Sequence, residues 1–154
     1  YARRWGYDYA TFKGVALGYK EWHSCFNKLE ILKQAQELKY DVLLMLDADA
    51  MVVDMNVDVF DVFPTGADTM VVGQAASSVS WNINNGVLLW NMTHSNTRAV
   101  VDRWRRESIR FLGATYSGGT DQGRFHEALK KELTEEERER VVYNSTGIFQ
   151  YRKG

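Results

Sequence analysis

The chain has 154 residues, of which 45% are hydrophobic and 25% are charged, a composition typical of a globular domain with a sizeable core. Its formal net charge of -1 at pH 7 leaves no basic excess for nucleic acid or an anionic membrane surface. No apolar run approaches the roughly 20 residues of a membrane span, and the single cysteine excludes an internal disulfide and a cysteine-based zinc site.

The N-terminal half predicts one helix and one buried strand. Residues 5–11 are aromatic around a glycine and predict a turn into a short strand. Residues 24–39 predict an amphipathic helix, in which Lys28 belongs to another face than the apolar positions Cys25, Leu29, Leu32 and Ala35. Residues 42–46 are apolar on both faces and too short for a helix, which predicts a fully buried, parallel, central strand.

Residues 70–113 predict two short strands and one longer helix. Residues 70–73 and 86–90 are the strands. Ser95 is a plausible N-cap for a helix that reaches Leu112, with Gly113 as its stop and with inward-facing Val100, Trp104 and Phe111.

The last forty residues predict a further helix, a capped turn and late strands. Residues 121–131 form the helix, and Thr134 and Glu137 have the spacing of a capping box. Residues 140–143 and 147–151 predict strands. Because helices alternate with short buried strands, we expect an α/β fold, a mixed sheet flanked by helices in a single domain over residues 1–154.

Two aspartates, Asp47 and Asp49, follow the predicted central strand directly. Ligands of open α/β sheets bind beyond the carboxyl ends of strands, and residues i and i+2 of an extended chain point to one side. Two close carboxylates repel each other unless a cation or a proton lies between them. Carboxylate oxygens suit Mg²⁺ or Mn²⁺, so this pair predicts a metal site. The alternative interpretation is a solvated turn without a ligand.

Paired aspartates also occur in two other kinds of site. A calcium EF-hand loop is excluded, because Met51 and Val52 stand where a ligand and the obligatory glycine belong. Haloacid-dehalogenase-like phosphohydrolases also place Asp-x-Asp after an apolar strand, but they favour Thr or Val where this chain has Met51. A phosphohydrolase therefore stays open as an alternative.

The order of motifs resembles the GT-A fold glycosyltransferases, which use nucleotide sugars. The segment "EWHSCFNKLEILKQAQELKYDVLLMLDADAMVVD" is followed by "WNINNGVLLWN" and then by "GGTDQGRFHEAL". The most similar family is glycosyltransferase family 34, the yeast galactosyl- and mannosyltransferases and plant xyloglucan xylosyltransferases, with families 8 and 77 still open. The resemblance runs from about Tyr7 to Gly154.

This resemblance implies a metal-dependent, retaining transfer of a sugar from a UDP- or GDP-sugar to a glycan acceptor. Asp47 and Asp49 would hold Mn²⁺ or Mg²⁺ against the donor diphosphate, and Ala48 stands where the family often has Ser. The implied donor-binding residues are Lys28, Asp47, Ala48, Asp49, Asn84, Asn85 and Gly86.

The implied catalytic pair is Asp121 and Gln122. Asp121 would hold donor-sugar hydroxyls, and Gln122 would stabilise positive charge at the anomeric carbon. From the residues alone, a plain turn explains Asn84-Asn85-Gly86 as well, an ordinary N-cap explains Asp121, and a solvated helix face explains Lys28.

The resemblance also implies an incomplete GT-A core, truncated at both ends, of a type II membrane protein of the Golgi lumen. The membrane anchor would lie outside this sequence, and a third metal ligand, a His, would follow within about ten residues of Gly154. The isolated piece would then be inactive and bind metal weakly. A non-catalytic carbohydrate-binding homologue is the remaining alternative.

Several other residues are expected to have structural roles. Cys25 is expected to be a small buried hydrophobe, and Trp22 and Trp81 are expected in core packing. The isolated histidines are expected at the surface or in caps; they are His23, His94 and His126. Two sequons, at Asn91 and Asn144, give weak support to a secretory compartment.

Overall fold

A computed structural model describes residues 1–63, 68–79, 81–112 and 120–144 of the chain. Within these ranges a four-stranded mixed sheet is flanked by helices, which confirms the α/β class. The helices are α1 (Ala2–Trp5), α2 (Asn27–Glu37), α3 (Thr97–Leu112), α4 (Asp121–Glu132) and α5 (Glu135–Val141). The strands are β1 (Val42–Leu46), β2 (Val71–Ala75), β3 (Ile83–Asn91) and β4 (Val142–Asn144), and 3₁₀ helices span Glu21–Phe26 and Val59–Val62.

The sheet has the order β1-β3-β2-β4, and β3 is antiparallel to both of its neighbours. Among the strands that the structure describes, only β2 and β4 run parallel to each other. The prediction of a parallel, fully buried and central β1 is therefore wrong: among the described strands β1 lies at one edge, and only Met45 in it is buried. The apolar side chains on both faces of β1 indicate that both faces are partly covered. They do not indicate whether the strand runs parallel or antiparallel to its neighbour.

The two faces of the sheet bury two unequal clusters. Helices α2, α3 and α4 cover one face and enclose the larger core, whose biggest fully buried side chains are Trp90, Trp104, Phe26 and Phe125. The opposite face carries a smaller cluster of Val59, Val72 and Leu89, against which Tyr1 and Tyr7 pack. The N-terminal segment therefore serves as cover for the second face.

Most of the predicted helices and strands are confirmed. Helix α2 buries Leu29, Leu32 and Ala35, as the helical spacing predicted. Helix α3 buries Val100, Trp104 and Phe111, and the capping box of Thr134 and Glu137 closes the first turn of α5.

Other local predictions are wrong in extent or kind. Residues 5–11 form no strand; α1 ends at Trp5, and its C-cap Gly6 adopts the left-handed conformation that glycine tolerates. Helix α3 begins at Thr97, two residues after the predicted cap Ser95. Val141 still belongs to α5, so the late strand is only β4. The predicted stop Gly113 and the predicted strand at 147–151 lie outside the described residues.

The sequon asparagines both serve the ends of strands. Asn91 accepts hydrogen bonds from the backbone N–H and the hydroxyl of Thr93 and donates to the carbonyl of Thr69. Asn144 accepts a hydrogen bond from the backbone of Ala75. None of the helices in the described ranges is long and apolar enough to cross a bilayer.

Helices α3 and α4 are joined by an ion-pair network. Glu107 on α3 is 9% exposed, and its carboxylate lies 3.1 Å from the Lys131 ammonium of α4 and 3.6 Å from the Arg103 guanidinium. The hydrogen bond from Lys131 is the main reason that the pKa of Glu107 lies below its usual value. The network fixes α4, which carries Asp121, against the rest of the helical layer.

We expect Glu107→Gln to lower the free energy of unfolding by about 1.5 kcal/mol at pH 7, in the range of hydrogen bonds to charged groups. Because the native pKa is depressed, this stabilisation is complete above the unfolded pKa of about 4.3 and is lost as the pH falls through the native value. Urea unfolding of both proteins at pH 7 and pH 3 measures it. Glu127→Gln, in the exposed Glu127–Lys130 pair, is the control. An equal difference at both pH values would contradict the assignment.

Candidate functional site

The ammonium of Lys28 lies at the centre of a polar cluster inside the protein. Lys28 is the second residue of α2 and is 6% exposed. Its Nζ lies 2.8 Å from Oδ1 of Asp47 and 2.8 Å from Oδ2 of Asp121, and it donates to Oδ1 of Asn85 at 3.4 Å. The expectation of a solvated Lys28 is therefore wrong. The helical spacing correctly placed Lys28 on another face than the main apolar positions, but the buried surface of α2 extends beyond those positions.

Asp121 is the most enclosed carboxylate of the cluster. It is the first residue of α4, is 8% exposed, and its Oδ2 also accepts a hydrogen bond from Nδ2 of Asn85 at 2.8 Å. Thr120 is the N-cap of α4 and accepts a hydrogen bond from the backbone of Gly123, so the N-cap reading of Asp121 is wrong. A carboxylate in the first turn also interacts favourably with the positive end of the helix.

The indole of Trp104 binds the backbone of Asp121. Its Nε1 donates to the backbone carbonyl of Asp121 at 3.1 Å. The sequence placed Trp104 in the core but missed this contact. The available signal was chemical, because a buried indole N–H needs an acceptor.

An irregularity in the sheet brings Asn85 and Gly86 to the cluster. The pairing of β2 with β3 passes from Gly73 opposite Leu88 to Gln74 opposite Asn84, so three residues of β3, 85 to 87, have no partner on β2. On the other side of β3, the backbone N–H of Asp47 donates to the carbonyl of Gly86 at 2.7 Å. Such irregularities redirect side chains and occur often beside active sites.

Position 86 leaves little room for a side chain, because two polar side-chain atoms approach its backbone closely. A Cβ there would lie 3.0 Å from Oδ1 of Asn84 and 3.1 Å from Oδ2 of Asp47. Asn84 itself makes a local contact, since its Oδ1 accepts the backbone N–H of Gly86 at 2.7 Å. Of the Asn-Asn-Gly segment, Asn85 therefore enters the cluster, and Gly86 leaves room for the carboxylate of Asp47.

Asp47 and Asp49 are linked by a turn. The backbone N–H of Ala50 donates to the carbonyl of Asp47, so the chain bends at Ala48 and Asp49 instead of staying extended. The i, i+2 argument for a shared side therefore does not apply. The charges of Asp47 and Asp49 still interact with each other. Asp49 is exposed to solvent, and Asp47 is half-buried, with 38% of its side chain exposed.

The cluster carries an excess of negative charge. Burial raises the pKa of Asp47 above its ordinary value; Lys28 opposes this rise, and the charges of Asp121 and Asp49 add to it. Burial lowers the pKa of Lys28, but Asp121 and Asp47 together leave it above its ordinary value. Lys28 thus contacts two carboxylates, Asp47 and Asp121, and Asp49 adds a third negative charge near Asp47, so this group of four side chains has a formal charge of -2.

The donor set at the open side fits a hard divalent cation that keeps most of its other ligands from water or phosphate. Asp47 and Asp49 supply carboxylate oxygens, and Mg²⁺ is commonly held by one or two carboxylates plus substrate phosphates. Among the described residues no group of three or more His, Cys, Asp and Glu side chains could hold a metal. The described residues therefore do not form a metal site made of protein ligands alone.

The remaining predicted site residues lie around this cluster. Ala48 is exposed in the turn, and Gln122 follows Asp121 on α4 and is half-buried. Cys25, half-buried, lies close enough to Asp121 to feel its charge; burial, and then Asp121, raise the pKa of its thiol to about 11. This fits the expectation of a structural cysteine.

The three histidines have other contacts. His23 is buried, against the surface reading, and its Nδ1 accepts backbone N–H groups of Tyr19 and Lys20, a capping role. His94 likewise accepts the backbone N–H of Asn96 at Nδ1. Nε2 of His126 donates to the carbonyl of Ile83, and burial lowers the pKa of this imidazole.

The two tryptophans differ from each other. Trp81 packs against the main core, and the guanidinium of Arg138 lies 4.9 Å from its ring centroid. Trp22 is 45% exposed and packs edge-on against Phe111, so core packing holds only for Trp81.

A groove of about 610 Å³ lies at the opposite end of the sheet. Asp41, which precedes β1, and Met92, which follows β3, line it together with Lys33, Glu37 and Arg98. It is therefore separate from the cluster around Lys28, which lies where β1 ends.

No family model, curated protein or solved structure matches the chain significantly.

The thiol of Cys25 provides a test of this site. With a pKa of about 11, we expect alkylation by iodoacetamide at pH 8 to be at least about 100-fold slower than for a free thiol of pKa near 8.5, because only the thiolate reacts. Asp121→Asn should accelerate the reaction, since it removes one cause of the raised pKa. Mass spectrometry of the labelled protein against glutathione measures the rates. Labelling of the folded protein as fast as glutathione would contradict the environment described for Cys25.

Proposed function

We propose that the chain is the GT-A core of a metal-dependent, retaining glycosyltransferase that moves a sugar from a nucleotide-sugar donor to a glycan acceptor. One observation carries the proposal. Asp47, Asn85 and Asp121 come from the three motifs that resemble family 34, and all three meet at the ammonium of Lys28, which is 93 positions from Asp121. Chance similarity of isolated motifs does not require them to share one point in space.

The exposed side of the cluster is the proposed place of the donor diphosphate. Asp47 and Asp49 would hold Mn²⁺ or Mg²⁺, which when bound supplies positive charge for the departing nucleotide diphosphate. Once it is released from Asp47, the ammonium of Lys28 can donate to a phosphate oxygen from the buried side. The absent Cβ of Gly86 lets a ligand approach the backbone.

The buried side is the proposed place of the donor sugar. Asp121 accepts and Asn85 both donates and accepts hydrogen bonds, a combination that suits sugar hydroxyls. Positive charge develops at the anomeric carbon as its bond to the diphosphate breaks, and the amide oxygen of Gln122 would stabilise it. Ala48 supplies no hydroxyl, so one donor contact expected in the family is missing.

Family 34 is the preferred assignment within the proposal. Under this assignment, the full-length protein would be a type II membrane protein of the Golgi lumen and would act on a glycan acceptor. No nucleic-acid partner is proposed, because the chain has a formal net charge of -1.

We expect the chain to bind UDP or GDP in a Mn²⁺-dependent manner, and Asp49→Asn to weaken this binding at least about tenfold, since a metal-bridged phosphate loses one of two carboxylates. Isothermal titration with and without Mn²⁺ measures both effects. Asp54→Asn is the matched control, because Asp54 is an exposed aspartate whose Oδ1 accepts only the backbone N–H of Asn56 among the described contacts.

Three results would count against the proposal. Preference for inorganic phosphate with Mg²⁺, together with phosphate-ester hydrolysis, would favour the phosphohydrolase. Sugar binding without any metal effect would favour a non-catalytic homologue. Equal losses in Asp49→Asn and Asp54→Asn would remove Asp49 from the site.

Gln122 gives a kinetic prediction. In the transferring protein, Gln122→Ala should lower kcat about 100-fold with little change of donor KM, because the proposed contact strengthens only in the transition state. Steady-state rates with UDP- and GDP-sugars measure it, with Glu127→Ala on the same helix as control. A raised KM at unchanged kcat would make Gln122 a binding residue only.

A further inference from the structure

The position of the Lys28 ammonium differs from that of an ordinary surface lysine. It bridges a carboxylate that is largely enclosed, Asp121, and one that opens to solvent, Asp47; their side chains are 11% and 38% exposed. The two contacts have the same length, 2.8 Å. Asn85 adds a third partner on the enclosed side.

We propose that Lys28 is a built-in counter-ion that competes with a divalent cation for Asp47, and that Asp121 with Asn85 is the position to which its ammonium withdraws when a cation binds. This inference rests on the proposed function, since it concerns the metal-holding carboxylate of the same site. It adds a regulatory role to Lys28 that the donor contact alone does not include.

The argument begins with the carboxylate of Asp47. Its Oδ1 is occupied by the ammonium, and Oδ2 lies on the Gly86 side. A divalent cation at Asp47 and the Lys28 ammonium on the same carboxylate repel each other, because both are positively charged. Binding of the cation must therefore weaken the contact between Lys28 and Asp47.

The second step is that this contact can be lost at little cost. With Asp47 released, Lys28 keeps its 2.8 Å contact with Asp121 and the carbonyl oxygen of Asn85. A buried ammonium without any carboxylate would be strongly unfavourable, so Asp121 makes the exchange feasible. Asn85 holds Asp121 in place through its own hydrogen bond.

The third step concerns the protein without metal. Lys28 neutralises part of the repulsion among Asp47, Asp49 and Asp121, so the site is stable before any cation arrives. The ammonium thus sets a threshold for metal binding, and the metal affinity of the site is lower than two carboxylates would otherwise provide.

The experiment is titration of the full chain with Mn²⁺ alone, by calorimetry, without nucleotide. Lys28→Gln should bind Mn²⁺ about tenfold more tightly than the wild type, the size of effect that a nearby charge has on an ionic equilibrium. Lys33→Gln, on the same helix and 44% exposed in its ion pairs with Glu30 and Glu37, should stay within twofold. Equal affinities of wild type and Lys28→Gln would overturn the proposal.

A double-mutant cycle separates withdrawal from direct ligation. Asp121→Asn should weaken Mn²⁺ binding severalfold in the wild type, because the ammonium then stays on Asp47, and should have a much smaller effect in the Lys28→Gln background. An equal loss in both backgrounds would make Asp121 a metal ligand or a distant charge and would overturn the withdrawal.

Nuclear magnetic resonance of the lysine Nζ groups covers the case in which Lys28→Gln does not fold. Titration of the wild type with Mg²⁺ should move the ¹⁵Nζ signal of Lys28 and leave that of Lys33 in place. An unmoved Lys28 signal at saturating Mg²⁺ would overturn the proposal.

The outcomes also separate this inference from the proposed function. Metal-dependent binding of UDP or GDP with no influence of Lys28 on Mn²⁺ affinity defeats only the counter-ion role. Absence of Mn²⁺ binding from wild type and from Lys28→Gln defeats both.

Discussion

Burial of one ammonium group, that of Lys28, is the constraint on which the site depends. Transfer of an unpaired charge into the interior costs several kcal/mol even after relaxation, so carboxylates must accompany it. Asp47 comes from the end of β1 and Asp121 from the first turn of α4, and each lies 2.8 Å from the ammonium. The pairing therefore ties α2, β1 and α4 to one point, and the carbonyl oxygen of Asn85 adds β3.

The cluster has an enclosed side and an open side with different physical properties. On the enclosed side, Asp121 is fixed by Lys28, by the amide of Asn85 and by the indole that holds its backbone. On the open side, Asp47 and Asp49 face solvent with excess negative charge. This enclosed polar side beside an open anionic edge is the physical basis of the proposed donor site, because fixed polar groups orient a ligand and negative charge attracts cations.

The motif positions and the helical spacing were readable from the sequence because each depends on residues close together in the chain. Asp-Ala-Asp after an apolar run, the amphipathic spacing of α2 and the capping box of Thr134 and Glu137 are local patterns. Their physical basis is equally local: side-chain periodicity and the hydrogen bonds of a helix end. The exact ends were less accurate, as at Thr97, since several polar residues near a helix start can serve as its cap.

What the sequence by itself determined was therefore the α/β class, most of the helices and strands, and the residues that form the candidate site. The tertiary structure decided that β1 is antiparallel to β3, that β3 leaves residues 85 to 87 unpaired with β2, and that Lys28 points inward. Strand direction and register follow from pairing between distant segments, which periodicity does not encode. The burial of Lys28 likewise follows from two aspartates 19 and 93 positions away, whose charges compensate a cost that no local pattern reveals.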